Sequence, residues 1–398
     1  MQISGKSKNL TAGYSFIQGF FWMNFAAIMG FSGIYLLDKG FSNTEIGLLM
    51  AAAGIVSAAL QPVAASYADT PFSPSLKKII AAFDVVLVVL AILLLLVPEK
   101  IRMLTGLAYG GSIMLLQLLT PLVNSLGTES MNQGKRLNFG VSRGMGSVAY
   151  AIAAYVLGII VAKAGVGTVP AAMVLMFGGL FFSLLLFPFE KCRTAEQRAD
   201  RKGSSDPLYF FKRYKRFSIV LCGCVFVYLS HVLLNSFTFQ IVDSKGGGSS
   251  EMGFAMALAS LIELPTMFLF GYMVKKLRAD IWFRISGVFF MLKSLGTLLA
   301  PSIPVFYAVQ ILQMFGWALI TVSSVYYVNS VMEEQDAIKG QAYMTMTYTL
   351  GSVLGALIGG TLIDKAGVEA MLLFGTVSAF VGMGIILAAA RNEKIQAV

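Results

Sequence analysis

The chain has 398 residues and a mean hydropathy of +0.76, with 57% of residues hydrophobic and only 13% charged. A water-facing domain carries about a quarter of its residues as charges, so this composition excludes a soluble globular protein. The net charge of +10 sits in loops beside apolar runs, which is the pattern of membrane orientation and not of a nucleic-acid surface.

A bilayer span needs about 20 apolar residues. In chain order, runs of that length predict twelve helices over 14–37, 45–68, 78–97, 101–126, 138–162, 169–189, 217–242, 250–274, 281–300, 305–332, 341–363 and 368–390. The start of the chain is polar with Lys6 and Lys8, and no small-residue cleavage pattern follows the first apolar run; that run is expected to remain as the first helix. Gly351, Gly355 and Gly359 form a stripe suited to close helix approach. Alternate loops are rich in Lys and Arg, which places both termini on the cytoplasmic side of a plasma membrane. The polar stretch 190–216 reads as a tether between two six-helix halves, 1–189 and 217–398. The expected fold is an all-α membrane protein of twelve transmembrane helices in two pseudo-symmetric six-helix bundles.

The halves repeat one another. Glu45-Ile46-Gly47 returns as Glu251-Met252-Gly253, Gly146-Ser147-Val148 as Gly351-Ser352-Val353, and Lys163-Ala164-Gly165-Val166 as Lys365-Ala366-Gly367-Val368. A duplicated chain of membrane length is the architecture of a secondary transporter. Three cysteines make no disulfide framework, and the single His231 rules out a multi-histidine metal site. Neither G-x-S-x-G nor H-E-x-x-H occurs. We therefore expect no metal, no cofactor and no enzymatic activity, and a monomer whose partners are the bilayer, a small solute and protons.

An ionisable group at membrane depth costs at least ~2.5 kcal/mol, so each one is a functional candidate. Arg143 and Tyr150 are two turns apart on one helix face. A guanidinium can grip vicinal hydroxyls and a ring can stack on a sugar's apolar face; the alternative is that Arg143 snorkels to the headgroups. Glu263, before Pro265, and Lys293 lie near the middle of their spans, either as a proton-handling site or as a static ion pair. Asp84 is expected to join a charge network with Lys77, Lys78 or Arg143, a second protonation site being the alternative. His231 and Asn235 share a face and are candidates for solute contact or proton relay. Asn24, Asn124, Gln313 and Trp317 complete the set of candidate solute contacts.

Twelve spans, two halves and a basic central loop resemble the major facilitator superfamily. Its signature loop is similar to Asp69 followed by Lys77 and Lys78, and to Gly271 with Lys275 and Lys276 in the second half. The resemblance implies that Asp69, Lys77, Lys78 and Lys275 form a conformational gate. Within the superfamily, three segments resemble the oligosaccharide:proton symporter (lactose permease-like) family: Ile46-Gly47 through Gln61-Pro62 to Asp69, Phe139 to Gly146, and Gln313-Met314-Phe315. The resemblance implies that Arg143 binds sugar, with Tyr150 at the stacking position. Where that family has an acid near the end of helix four, this chain has Asn124; where it has a histidine and then a proton-carrying glutamate in helix ten, this chain has Gln313 and Gly316. Coupling then passes to Glu263 or Asp84, or is absent. The implied function is proton-coupled symport of a sugar or related polyhydroxyl solute, a nucleoside included, by rocking of the two halves. The alternatives are an efflux transporter of the same fold and an uncoupled uniporter.

Overall fold

A computed structural model describes residues 9–70, 72–98, 101–190 and 207–390. Among them the chain is all helix, with no strand. Among the described residues ten helices are long and apolar enough to cross a membrane on their own. An eleventh span is the bent pair Thr11–Gly30 and Ser32–Asp38, and the last helix, 51 residues over Lys339–Ala389, is long enough for two. The twelve predicted spans are thus all present.

The elements of the first half are α1 (Thr11–Phe25), α2 (Ser32–Asp38), α3 (Asn43–Asp69), α4 (Leu76–Leu96), α5 (Arg102–Asn132), α6 (Phe139–Ala164) and α7 (Thr168–Leu186). The second half has α8 (Pro207–Arg213), α9 (Lys215–Ser236), α10 (Thr238–Asp243), α11 (Ser249–Ile262), α12 (Leu264–Lys276), α13 (Ala279–Leu299), α14 (Ile303–Gln310), α15 (Trp317–Val331) and α16 (Glu334–Ala389). The chain divides into one unit of 1–40 with 52–199, and another of 41–51 with 200–398. The first turns of α3 therefore pack with the second unit. There the Asp364 carboxylate accepts hydrogen bonds from the Asn43 and Thr44 amides and from Asn43 Nδ2, at 3.1, 2.7 and 2.9 Å. Two of these donors are helix-start N–H groups that have no partner within the helix, so the carboxylate caps α3.

The sequence repeat is also a backbone repeat. Gly165 and Gly367 adopt nearly the same conformation, φ 85 and ψ 169 against φ 84 and ψ 173, a region that only glycine enters freely. Gly367 is where α16 breaks into its two spans. The repeated glutamates also share a role. Glu45 Oε2 accepts from the Ser42 amide at 2.8 Å, and Glu251 Oε2 from the Gly248 amide at 2.9 Å; each closes the start of its helix.

Close helix contact follows the same repeat. A Cβ on Gly146 of α6 would lie 2.5 Å from Trp22 Cδ1 of α1, and one on Gly351 of α16 would lie 2.8 Å from the Leu229 amide nitrogen of α9. The predicted stripe continues, with Gly355 against Leu229 and Gly359 against Leu233 and Phe237. Small residues here let backbones meet, which is how membrane helices gain packing energy. In the first unit α4 packs on α5 and α7; in the second α13 packs on α15 and α16.

Four spans predicted as continuous helices are broken; one of them, 217–242, breaks at Phe237 between α9 and α10. A π turn, Ala26–Gly30, interrupts the first. Pro265, which cannot donate to the helical ladder, separates α11 from α12 at Glu263. A 3-10 turn, Ile311–Met314, separates α14 from α15. Such breaks commonly mark functional positions in membrane helices.

Candidate functional site

Each unit carries its own polar cluster. In the first unit Tyr14, Gln18 and Trp22 follow one another at four-residue spacing, so they form a stripe on one face of α1. Trp22 Nε1 donates to Gln18 Oε1 at 3.0 Å; Gln18 Nε2 donates to the Tyr14 hydroxyl at 2.7 Å and to Asn124 Oδ1 at 3.2 Å. Tyr14 in turn donates to the Val123 carbonyl at 2.9 Å. The Arg143 guanidinium lies 4.0 Å above the Trp22 ring and donates to Ser147 Oγ at 3.2 Å. Gly146 makes the room for that ring, and Gly127 the room for Tyr14. The result is a planar cation, an indole and two amides linked from three helices, with Arg143, Trp22 and Asn124 each half-buried. Such a set can hydrogen-bond hydroxyls and offer a flat apolar face. Tyr150 lies half-buried two turns further along α6.

In the second unit two of the helix breaks, those at Glu263 and at Ile311–Met314, meet the intact α13. Gln313, on the 3-10 turn, donates from Nε2 to Glu263 Oε1 at 2.8 Å, and its Oε1 accepts from Lys293 Nζ. Gln313 and Lys293 are 4% and 3% exposed. A neutral amide thus bridges an acid and a base, presenting a donor to one and an acceptor to the other. The sequence offered Glu263 and Lys293 as a carrier or an ion pair; the tertiary structure inserts Gln313 between them.

His231 stacks on Trp317, ring centroids 4.3 Å apart and planes within 4°, with Phe290 edge-on at 5.4 Å. Asn235 Nδ2 donates to the His231 carbonyl at 2.7 Å and lies 3.1 Å from Nδ1 of its ring. A small pocket opens beside Lys293, lined by Asn235, Thr238, Met256, Thr297 and Gln310 among others.

Asn24 is fully buried on α1. Its Nδ2 donates to the Phe20 carbonyl at 2.9 Å, while its Oδ1 has no hydrogen-bond partner among the described residues. Lys77 Nζ donates to the Leu185 and Phe187 carbonyls at 3.2 and 2.8 Å, so it ties the start of α4 to the end of α7. Lys78 and Lys275 are exposed. The side chain of Asp69 and most of the 190–216 tether lie outside the described residues. The charge network expected for Asp84 does not form. Its side chain is 0% exposed, and neither carboxylate oxygen has a hydrogen-bond partner among the described residues. Lys77 is drawn instead to the open carbonyls ending α7.

Sequence reasoning missed Tyr14 and Gln18 and gave Trp22 no role. The signal was present as an i, i+4, i+8 run of polar-tipped residues inside an apolar helix.

Twelve spans in two like halves, with polar clusters gathered at broken helices, define a multi-pass membrane transporter. The profile of the MFS_1 like family matches residues 14–374, and the chain belongs to that family. A protein of Deinococcus radiodurans that carries the name of a sugar efflux transporter is 24% identical over 166 residues, 42% of each chain. The match thus spans under half the length of that relative. Among solved structures, a point-mutant form of the nucleoside transporter NupG is similar at TM-score 0.80 and 14% identity, over 96% of this chain and 98% of that one. NupG without that mutation gives 0.76 and 15% over the same shares. A bacterial homologue of the human lysosomal transporter Spinster, inward-facing and occupied, gives 0.69 and 14% over 96% of each. At these identities the likeness is one of fold. The major facilitator architecture expected from the sequence is therefore the architecture of this protein.

Proposed function

We propose that the protein is a proton-coupled transporter of a sugar or related polyhydroxyl solute, a nucleoside included, that works by alternating access in the plasma membrane with both termini cytoplasmic. Residues 1–189 and 217–398 are its two moving halves and 190–216 their tether. The observation that carries this reading is the Trp22–Arg143–Gln18–Asn124 cluster. A ring or base has two apolar faces and a polar edge. An indole, a guanidinium and two amides match that combination, and nothing in the cluster is an acid that would favour a cationic drug. Tyr150 extends the aromatic surface along α6. The Glu263–Gln313–Lys293 chain is the charge-handling counterpart. Its acid and base are joined by an amide that a solute hydroxyl can displace, which links solute binding to a change in charge pairing. The names of the similar proteins, one for sugar and one for nucleoside, fall within the same chemical class.

The test is a thermal-shift screen of sugars and nucleosides on detergent-purified protein, since a ligand that binds the folded state raises its melting point. Hits then go to uptake by proteoliposomes under an imposed pH gradient. Stabilisation by a sugar or nucleoside, lost in Trp22→Ala and Arg143→Ala, is expected. A screen in which only hydrophobic cations stabilise the protein overturns the reading in favour of a drug exporter.

A further inference from the structure

Asp84 is the one carboxylate side chain among the described residues with both oxygens buried and without a hydrogen-bond partner. It sits on the face of α4 that also buries Ile80, Leu87 and Ala91, packed between α5 and α7. α7 carries no charged or titratable residue over Thr168–Leu186. On α5 the charged residues are Arg102, at its first position, and Glu129, near its end. Gly111 lies against Leu90, so the register sets Asp84 against the middle of α5. Glu129 and Arg102 then lie towards opposite ends of that helix, each on the order of 20 Å along the axis at 1.5 Å per residue. The titratable Tyr109 of α5 donates its hydroxyl to the Ile28 carbonyl at 2.8 Å. On α4 itself Lys77 is engaged with the carbonyls at the end of α7, and Lys78 is exposed.

Burial without a partner is tolerable for a neutral acid and not for an anion, which would need a donor or a countercharge to replace lost water. A metal cation fits no better. Sodium-sized ions need several oxygen ligands around them, and among the described residues no group of three or more His, Cys, Asp or Glu side chains gathers around Asp84 or anywhere else. A proton needs no cage. Helix-packing cost argues against an inert residue too, because an apolar side chain at this position would complete the α4–α5–α7 interface without any such penalty. From this geometry we infer that Asp84 is a proton-binding site of the transport cycle: it carries a proton in the conformation described here and releases it in one where water or a basic side chain reaches α4. The proton moves between solvent and one carboxylate oxygen, with no other bond made or broken. The inference rests on the proton-coupled reading above and deepens it, by placing the coupling proton in the first unit and away from the Glu263–Gln313–Lys293 chain.

Two measurements test this. The first needs no solute. Infrared difference spectra of the lipid-reconstituted full-length protein, taken across a pH titration, should show a protonated-carboxyl stretch. The band is expected to vanish in Asp84→Asn, to shift in Asp84→Glu, and to persist in Glu263→Gln. A band that survives in Asp84→Asn overturns the proposal. The second uses proteoliposomes with an imposed gradient of about one pH unit, which drives about tenfold accumulation through a one-proton carrier. Each sugar and nucleoside of the thermal-shift screen serves as probe. Asp84→Asn should show no accumulation but retain exchange of solute across the membrane without a gradient. Full accumulation in Asp84→Asn, or loss of exchange together with accumulation, overturns it. If the wild type moves none of the probes, the functional reading falls by itself, and the infrared titration still decides whether Asp84 binds a proton.

Discussion

The two polar clusters solve the same problem in opposite ways. In the first unit a single cation, Arg143, is held over an indole, and the hydrogen bonds run on through neutral groups to Tyr14 and Asn124. In the second an acid and a base, Glu263 and Lys293, are joined through one amide. The difference lies in where the helices break. In the first unit the break follows the cluster, at Ala26–Gly30, so Tyr14, Gln18 and Trp22 keep helical spacing. In the second two of the breaks fall on Glu263 and Gln313 themselves, where helical spacing is lost and the side chains are free to converge on Lys293. Regular helix favours a stacked, shape-reading surface; broken helix favours converging charges.

The sharpest way to break this contrast is to remove one end of the charge chain. Lys293→Ala leaves Glu263 and Gln313 without their buried cation and should cost about 3–5 kcal/mol. The double variant Glu263→Gln/Lys293→Met should recover most of that loss, as read by unfolding in detergent. Equal loss in the single and double variants would mean that the chain is not a coupled unit. Next in size is Gly146→Val. The added side chain meets Trp22 at van der Waals overlap, and overpacking of this kind costs about 1–3 kcal/mol. It should abolish solute-induced stabilisation while Lys293 variants retain part of it. The repeat itself can be probed at the same scale. Gly165→Ala and Gly367→Ala should each cost about 1–3 kcal/mol, and equal effects on melting temperature would show that the two loops carry equivalent strain. Trp22→Phe should be milder, about 1 kcal/mol, because the ring face under Arg143 survives and only the bond to Gln18 is lost. The smallest effect should come from His231→Phe, under about 1 kcal/mol, since the stack on Trp317 is kept; an effect on pH-dependent uptake larger than its effect on melting would give the imidazole a chemical role.

The spans, the duplication and the family were legible in the residues because each is written locally. Membrane length is a count of apolar residues, and a glycine at φ near 85 or a glutamate that closes a helix start acts within a few positions of itself. Candidate groups were legible as types, since every ionisable residue in an apolar span stands out. Their partners were not. The expected network of Asp84 with Lys77, Lys78 or Arg143 is one case: Lys77 turns to the carbonyls of α7, and the acid has no hydrogen-bond partner among the described residues. Arg143 was matched with Tyr150 along α6, and the ring found over its guanidinium comes from α1.

The sequence by itself thus determined how many times the chain crosses the membrane, that its halves are copies, and which side chains are costly enough to demand a role. Only the tertiary structure decided who meets whom. Gln18 reaches Asn124 across 106 positions, and Gln313 reaches Glu263 across 50. Those meetings depend on the rotation and breaking of whole helices, and small residues such as Gly146 and Gly351 set how closely the helices approach. Apolar periodicity reports burial, but in a bilayer both lipid and protein are apolar, so it carries little information about which face of a helix turns inward.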